Sequence, residues 1–158
     1  MNFLKNKKPI TICDIGASPI DKTNFIDDLF NNTFCKIIGF EPNKSEFEKL
    51  NNTSPNKKYY NYALGDGKNK ILNICKSPGM SSFLDPDFEY LSKFHLFEEL
   101  SKIIKKVEVK TKKLDEIKDE IDFFKIDVQG YESEIIKNGK DKIKNALVIQ
   151  IETSPIPL

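Results

Sequence analysis

Acidic side chains follow several short apolar runs of this sequence. The runs are rich in β-branched and aromatic residues, which is typical of strands. The acids at or just beyond their ends are Asp14, Glu41, Asp66, Asp127 and Glu152. In an open parallel sheet, ligands bind beyond the carboxyl ends of the strands, near the point where the strand order reverses. We therefore expect a rim of carboxylates around one ligand site.

Two of these strand ends carry residue types that suit nucleoside binding. Gly16 lets the backbone approach a ligand closely because it has no Cβ. Glu41 follows that turn by about 20 to 30 residues, a spacing at which a carboxylate can accept hydrogen bonds from both ribose hydroxyls. A glycine after a strand is also ordinary turn chemistry, so this pair alone does not identify a cofactor.

The glycine pattern narrows the choice of nucleoside. A nicotinamide site uses the pattern G-x-G-x-x-G to bring a pyrophosphate to a helix N-terminus. Here Gly16 is followed by Ser18 and Pro19, and the second and third glycines are missing. The sequence therefore favours a nucleoside without a pyrophosphate, such as S-adenosylmethionine.

A divalent metal is a different use for the same acids. The carboxylates of Asp14, Asp127 and Glu152 could hold Mg²⁺, a cation that prefers oxygen ligands. Nothing in their spacing requires a metal, and we predict none.

Strand and helix patterns alternate through the first half of the chain, and they would position these acids. Apolar residues at helical spacing predict helices, and short β-branched runs between turn signals predict strands. In chain order the pattern predicts strand 10–15, a helix from 21 to 32, strand 34–40, a helix from Asn43, strand 58–64 and strand 71–75. This order predicts an α/β fold of Rossmann-like type, with a mostly parallel sheet and helices on both faces.

The second half begins with an apolar stripe over residues 86–106. Its helical spacing predicts one amphipathic helix, inserted over the sheet. The remaining predictions are strand 107–111, a short helix 114–118, inner strand 121–126, helix 131–138 and strand 146–151. With no linker or repeat in 158 residues, we expect residues 1–158 to form a single domain.

The basic residues argue against a nucleic-acid partner. All 25 residues counted as Lys or Arg are lysine, and 24 acidic residues balance them. Without arginine the chain lacks the planar fork that binds phosphate or guanine bidentately. We expect no nucleic-acid surface.

Cysteine usage and hydropathy suggest a location in the cell. Cys13, Cys35 and Cys75 are odd in number and widely spaced, which fits a reducing compartment better than a disulfide framework or a zinc site. The N-terminus lacks the apolar segment of a signal peptide, and no run approaches the roughly 20 apolar residues of a membrane span. We expect a cytoplasmic protein with no membrane partner.

One string of residues makes a family resemblance specific. Residues 125–132, KIDVQGYE, resemble the hallmark K-I-D-V-E-G-x-E of the FkbM methyltransferases. Other family-like pieces follow in the same order as in the family. They are Asp14-Ile15-Gly16-Ala17, Phe40-Glu41-Pro42, Ala63-Leu64-Gly65-Asp66, Ser81-Ser82, Leu114-Asp115 and Gln150-Ile151-Glu152. The chain is thereby similar to this family over nearly its whole length.

The resemblance implies a class I methyltransferase fold, S-adenosylmethionine as cofactor, and a hydroxyl on a small molecule or sugar as acceptor. It implies that Asp14, Gly16 and Ala17 lie near the methionine part, and that Glu41 binds the ribose. It also implies that Ala63, Leu64 and Asp66 lie near the adenine. Asp127 would sit beside the transferred methyl group as general base or as the group that orients the hydroxyl.

Four further polar residues are weaker candidates for the functional site. Glu132 is a second catalytic candidate, although a carboxylate in the first turn of a helix is also stabilised by the helix dipole. His95 is the only histidine, and a surface or half-buried position explains it better than catalysis. Ser81 and Ser82 resemble a serine pair of the family, or they serve the loop they lie in.

Two departures from the family pattern lead to alternatives. The glycine that usually comes a few residues after Ala17 is missing, and the sequence stops at Leu158, before the antiparallel strands that finish the fold in the family. We therefore expect an uncovered sheet edge, which a second copy could complete as a homodimer. The alternative is a truncated, non-catalytic domain that binds a nucleoside or a partner chain. A nicotinamide or flavin enzyme is disfavoured by the missing glycines.

Overall fold

The computed structural model describes residues 8–18, 35–50 and 55–153. Its main element is a five-stranded sheet in the order β3-β2-β1-β7-β8, and every pair in it is parallel. The strands are β1 (Ile10–Ile15), β2 (Cys35–Phe40), β3 (Lys57–Tyr60), β7 (Phe123–Ile126) and β8 (Val148–Ile151). Helices flank this sheet, so the predicted Rossmann-like α/β class is confirmed.

A second, three-stranded sheet is formed by the segment of the chain between β3 and β7. It contains β4 (Ala63–Leu64), β5 (Asn69–Cys75) and β6 (Ile103–Lys112), in the order β4-β6-β5. The β5–β6 pair is antiparallel and the short β4–β6 pair is parallel.

The described helices are short. They are α1 (Lys44–Leu50), α2 (Phe88–Leu91), α3 (Phe97–Leu100), α4 (Glu132–Lys137) and α5 (Lys140–Ile143), with 3₁₀ turns at Pro78–Met80 and Leu114–Glu116. The helix predicted from Asn43 is α1, and Asn43 caps it, because its side-chain oxygen accepts a hydrogen bond from the Ser45 backbone N–H at 3.2 Å. The predicted helix 21–32 lies outside the described residues.

The main core joins residues of β1, β2 and β7 to residues of β4, of the 3₁₀ turn Leu114–Glu116 and of α4. Cys13, Phe40, Phe124 and Ile126 are fully or almost fully buried in it, together with Ile135 of α4. The β7 segment is short, and its three apolar residues Phe123, Phe124 and Ile126 are buried, as expected for a central strand of a parallel sheet. This packing fixes the ends of β1, β2 and β7 relative to one another.

The prediction of one strand over 58–64 is wrong. The chain leaves the main sheet after Tyr60, and Ala63–Leu64 pairs with β6 of the second sheet. The side chain of Asn61 explains the break, since its amide donates to the backbone oxygens of Glu41 at 2.8 Å and Pro42 at 3.1 Å. These bonds turn the chain away from the strand direction.

The prediction of one amphipathic helix over 86–106 is also wrong. Two four-residue helices are present, and residues 103–106 belong to β6, which begins four residues before the predicted strand 107–111. Leu96 ends any helical continuity because its φ is 68°, in the left-handed region. Leu91 is buried, but Phe94 and Phe97 are exposed by 40% and 42%, so the stripe does not pack as a single face.

Smaller differences concern element ends. The predicted helix 114–118 is a 3₁₀ turn, Leu114–Glu116, and α5 was not predicted. That residues 1–158 form a single domain stays a prediction.

Candidate active site

A cleft of about 260 Å³ opens at the carboxyl ends of β1, β2 and β7. β2 lies on one side of β1 and β7 on the other, so the strand order reverses beside β1, where open α/β sheets bind ligands. The volume is close to the lower end of the range for small-molecule pockets, about 300 to 1,000 Å³. Of the predicted site residues, the cleft is lined by Gly16, Glu41, Ala63, Leu64 and Asp127.

Glu41 follows β2 and is 6% exposed. Its Oε1 accepts a hydrogen bond from the Asn43 backbone N–H at 2.7 Å, and no described residue donates to Oε2. Burial raises the pKa of Glu41 to about 7, against the opposing effect of the Asn43 N–H, and the negative charges of Glu46 and Asp14 raise it further. A buried carboxylate with one oxygen still available to a ligand is therefore present at the predicted ribose position.

The turn after β1 is fixed against both neighbouring strands. The backbone N–H groups of Gly16 and Ala17 donate to the Phe40 carbonyl at 3.0 and 3.1 Å. Gly16 has a φ of +84°, and a Cβ added there would lie 1.9 Å from the backbone oxygen of Asp127. The glycine therefore allows β1 to approach the Asp127 loop; Ala17 is buried but does not line the cleft.

At the predicted adenine position, the residues separate into two groups. Ala63 and Leu64 are buried and line the cleft. Asp66 does not line it, and its carboxylate accepts from the Lys68 N–H at 3.1 Å and lies 3.3 Å from the Lys70 ammonium. Partial burial favours the neutral acid, but these two donors together lower the pKa of Asp66. Its visible contacts therefore stabilise the turn before β5.

Asp127 follows β7 and shares a lysine with Asp14. The Lys125 ammonium lies 3.4 Å from Asp14 Oδ1 and 3.7 Å from Asp127 Oδ2. Asp14 is buried and does not line the cleft, whereas Lys125 and Asp127 do. Asp14 therefore interacts with a cleft residue, Lys125, but does not itself line the cleft.

Glu152 and Gln129 complete this end of the cleft. The Gln129 side-chain amide donates to Asp127 Oδ1 and to Glu152 Oε2, both at 3.0 Å. Hydrogen bonding with Asp127 raises the pKa of Glu152 to about 7, and partial burial and the charges of Asp127 and Glu132 act in the same direction, against Lys125.

Sequence reasoning missed Lys125 and Gln129 as site residues. It placed Glu152 in the rim of strand-end carboxylates and considered it as a metal ligand, but did not name it as a catalytic residue. Glu152 follows β8 as Asp127 follows β7, so the strand-end pattern did indicate it. Gln129 stands where the family hallmark has Glu, and its role depends on side-chain contacts that a single sequence does not reveal.

Glu132 faces its own loop rather than the cleft. Its Oε1 accepts from the backbone N–H groups of Val128 at 3.0 Å and Gly130 at 3.1 Å. It does not line the cleft, and its direct catalytic role stays a prediction.

The serine pair and the histidine also have visible positions. Ser82 donates its hydroxyl to the Gln129 carbonyl at 2.7 Å, and Ser81 accepts a hydrogen bond from the Cys75 N–H at 3.1 Å. His95 is exposed.

Two polar atoms of the cleft are available to a ligand. Glu41 Oε2 is available, and the buried hydroxyl of Ser18, which lines the cleft, has no hydrogen-bond partner among the described residues.

Within residues 8–18, 35–50 and 55–153, no three His, Cys, Asp or Glu side chains lie close enough together to form a metal site. In the same ranges, no helix is long and apolar enough to cross a membrane.

Fold and cleft together define a class: a Rossmann-like protein with a cleft at the topological switch point of its sheet and carboxylates at the strand ends. A protein-family model, the methyltransferase FkbM domain, matches residues 14–157. The chain belongs to the FkbM methyltransferase family, and the resemblance is confirmed. A search of curated proteins and a search of solved structures gave no significant match.

Proposed function

We propose that this chain is an S-adenosylmethionine-dependent O-methyltransferase that acts on a hydroxyl group of a small molecule or sugar in the cytoplasm. The observation that carries the proposal is that Glu41 and Asp127 line one cleft at the switch point of the sheet. The family supports a methyltransferase, and the size of the cleft supports a small acceptor. Three free, buried cysteines support a reducing compartment.

The cofactor would be held by residues at the ends of β1 and β2. Glu41 accepts hydrogen bonds from the ribose hydroxyls through its carboxylate, and Gly16 keeps the β1 turn open beside it. Ala63 and Leu64 supply apolar contact for the base. When bound, S-adenosylmethionine supplies the methyl group and is released as S-adenosylhomocysteine.

Asp127 would act on the acceptor hydroxyl. A hydroxyl must lose its proton as its oxygen forms the new bond to carbon, and a carboxylate within hydrogen-bond reach can take that proton. The nearby Lys125 ammonium keeps part of the Asp127 charge compensated. Positioning of the two reactants supplies the rest of the acceleration.

The first test is isothermal titration of the purified chain with S-adenosylmethionine and S-adenosylhomocysteine. We expect micromolar binding that Glu41→Ala abolishes. Asp122→Asn is the control, because Asp122 is a half-buried carboxylate that accepts a backbone N–H, from Thr11 at the start of β1, and does not line the cleft; this variant should bind like the unmodified chain. A folded chain that binds neither ligand would contradict the proposal.

A second step separates catalysis from binding alone. Chains that bind the cofactor are incubated with hydroxyl acceptors and methyl-labelled S-adenosylmethionine, beside Asp127→Asn. We expect transfer by the unmodified chain and a loss of at least about a hundredfold in the variant, the usual contribution of a general base. Binding without transfer to any acceptor would favour the non-catalytic nucleoside-binding domain.

A further inference from the structure

The side chain of Gln129 lies between two carboxyl groups. Its amide nitrogen is 3.0 Å from Asp127 Oδ1 and 3.0 Å from Glu152 Oε2. A primary amide has two N–H groups, so each carboxyl group can receive one of them. All three residues line the cleft.

The backbone holds this arrangement in place. Gln129 has a φ of 53° and is followed by Gly130 at 95°, a conformation that L-residues rarely adopt. Ser82 donates its hydroxyl to the Gln129 carbonyl, and Glu132 accepts the N–H groups on either side of it. A strained residue held by several hydrogen bonds in a cleft is typical of a functional constraint.

The sheet brings the two acids together. Asp127 and Glu152 directly follow β7 and β8, which pair in parallel with Ile126 opposite Ile151. The charged groups around the pair are Lys125 on β7, Asp14 on β1 beyond that lysine, and Glu132 on α4. Two carboxylates this close repel each other when both are ionised, so a proton on one of them stabilises the pair.

We propose that Gln129 is a positioning residue that holds Asp127 and Glu152 as one proton-accepting pair for the acceptor hydroxyl. The proposal rests on the proposed function and deepens it, because the pair rather than Asp127 alone accepts the proton. The acceptor O–H bond breaks as its oxygen bonds to the methyl carbon, and the proton passes to the pair. The methyl–sulfur bond breaks, and its electrons stay on the sulfur.

The test is a ¹³C NMR titration of the side-chain carboxyl groups in the full chain without cofactor. Asp127→Asn and Glu152→Gln assign the two signals. We expect both signals to follow the same two titration steps, as coupled groups do. In Glu152→Gln, the two-step behaviour should be lost.

Gln129→Met removes the amide and keeps the length of the side chain. Hydrogen bonds to a charged group favour the charged form, so the upper titration step should rise by about one pH unit in this variant. The matched control is Gln150→Met, which replaces the chain's other glutamine, an exposed residue of β8, and should leave both steps unchanged. When an acceptor is known, the limb of the pH–rate profile that reports the base should move upward by the same amount.

Two results would overturn the proposal. One is that Asp127 titrates in the same way with and without Glu152, since the acids would then not form a pair. The other is that Gln129→Met, folded as judged by its amide spectrum, leaves both steps where they are. Because these measurements need no cofactor, their failure is distinct from a failure to bind S-adenosylmethionine, which would remove the proposed function.

Discussion

At the scale of single residues, the charge of Glu41 should control cofactor affinity. Burial raises its pKa to about 7, so near neutral pH a large share of the chains carry it as the neutral acid. The ionised form accepts both ribose hydroxyls, and the acid loses part of that capacity. We predict that affinity for S-adenosylhomocysteine is lower at pH 6 than at pH 8 by up to about tenfold, the ratio of the fractions ionised at the two pH values, as measured by titration calorimetry.

Two variants show which carboxyl group causes this pH dependence. Glu152 also has its pKa raised to about 7, so it is the competing explanation. Glu152→Gln should keep the pH dependence of cofactor affinity. Glu41→Gln should bind S-adenosylhomocysteine weakly, with almost the same affinity at pH 6 and pH 8. The opposite pattern would assign the effect to Glu152.

The residue types at strand ends were the part of the site that the sequence could predict. Gly16, Glu41 and Asp127 follow β1, β2 and β7, and parallel strands bring such positions to one edge by geometry alone. Lys125 and Gln129 depend on where particular side chains reach. One sequence does not determine those contacts, so their place in the site became visible only in the structure.

At the scale of elements, the contact between β1 and the Asp127 loop sets the shape of the cleft. A Cβ at Gly16 would lie 1.9 Å from the Asp127 oxygen, and the residue has a left-handed φ. We predict that Gly16→Ala lowers the free energy of unfolding by at least about 3 kcal/mol, from the clash together with the backbone strain. Chemical denaturation measures the loss.

Gly67→Ala is the matched control for that substitution. Gly67 has a φ of +86°, almost the same as Gly16, but its nearest neighbours for a Cβ are Lys113 side-chain atoms at 3.7 and 3.8 Å. Gly67→Ala should therefore lower the free energy of unfolding only by the backbone strain, about 1 kcal/mol. Equal losses in the two variants would show that the close approach to Asp127 is not what requires a glycine.

The β7–α4 loop gives Glu132 a structural role that can be separated from a chemical one. Glu132→Gln keeps the side-chain oxygen that accepts the Val128 and Gly130 N–H groups, and Glu132→Ala removes it. We predict that Glu132→Ala destabilises the fold by about 1 to 2 kcal/mol and speeds amide exchange at both N–H groups, whereas Glu132→Gln retains most of the protection. If Glu132→Gln abolishes methyl transfer while the loop stays protected, the direct catalytic role is supported instead.

Element prediction worked for the strands that are short apolar runs between turn signals. β1, β2, β7 and β8 are such runs, and they were located to within about two residues at their ends, which is the usual precision. The helix over 86–106 failed because helical spacing of apolar residues does not report a left-handed residue such as Leu96, nor the pairing that draws residues 103–106 into β6. Strand 58–64 failed for a similar reason, the side-chain bonds of Asn61.

At the scale of the whole molecule, β8 is the unprotected part of the described sheet. It forms one edge among the described residues, and Val148 and Ile149 are exposed by 52% and 41%. Apolar edge strands tend to pair with another chain. We predict a homodimer through β8, detected by sedimentation velocity, that Val148→Lys converts to monomer.

Ile104→Lys is the control for charge and lost apolar surface. Ile104 is a 66% exposed apolar residue of β6, in the other sheet. This variant should sediment like the unmodified chain. A monomer at tens of micromolar before any substitution would rule out the edge as a stable interface.

The three buried cysteines can report the unfolding of the two sheets, because each becomes reactive only when its strand is exposed. Cys13 and Cys35 lie in β1 and β2 of the parallel sheet, and Cys75 lies in β5 of the smaller one. Burial raises the pKa of Cys13 and of Cys75, so an alkylating reagent meets neither an accessible nor an ionised sulfur in the folded protein. Mass spectrometry of timed alkylation therefore reads out, without any engineered label, whether the two sheets open together or one before the other.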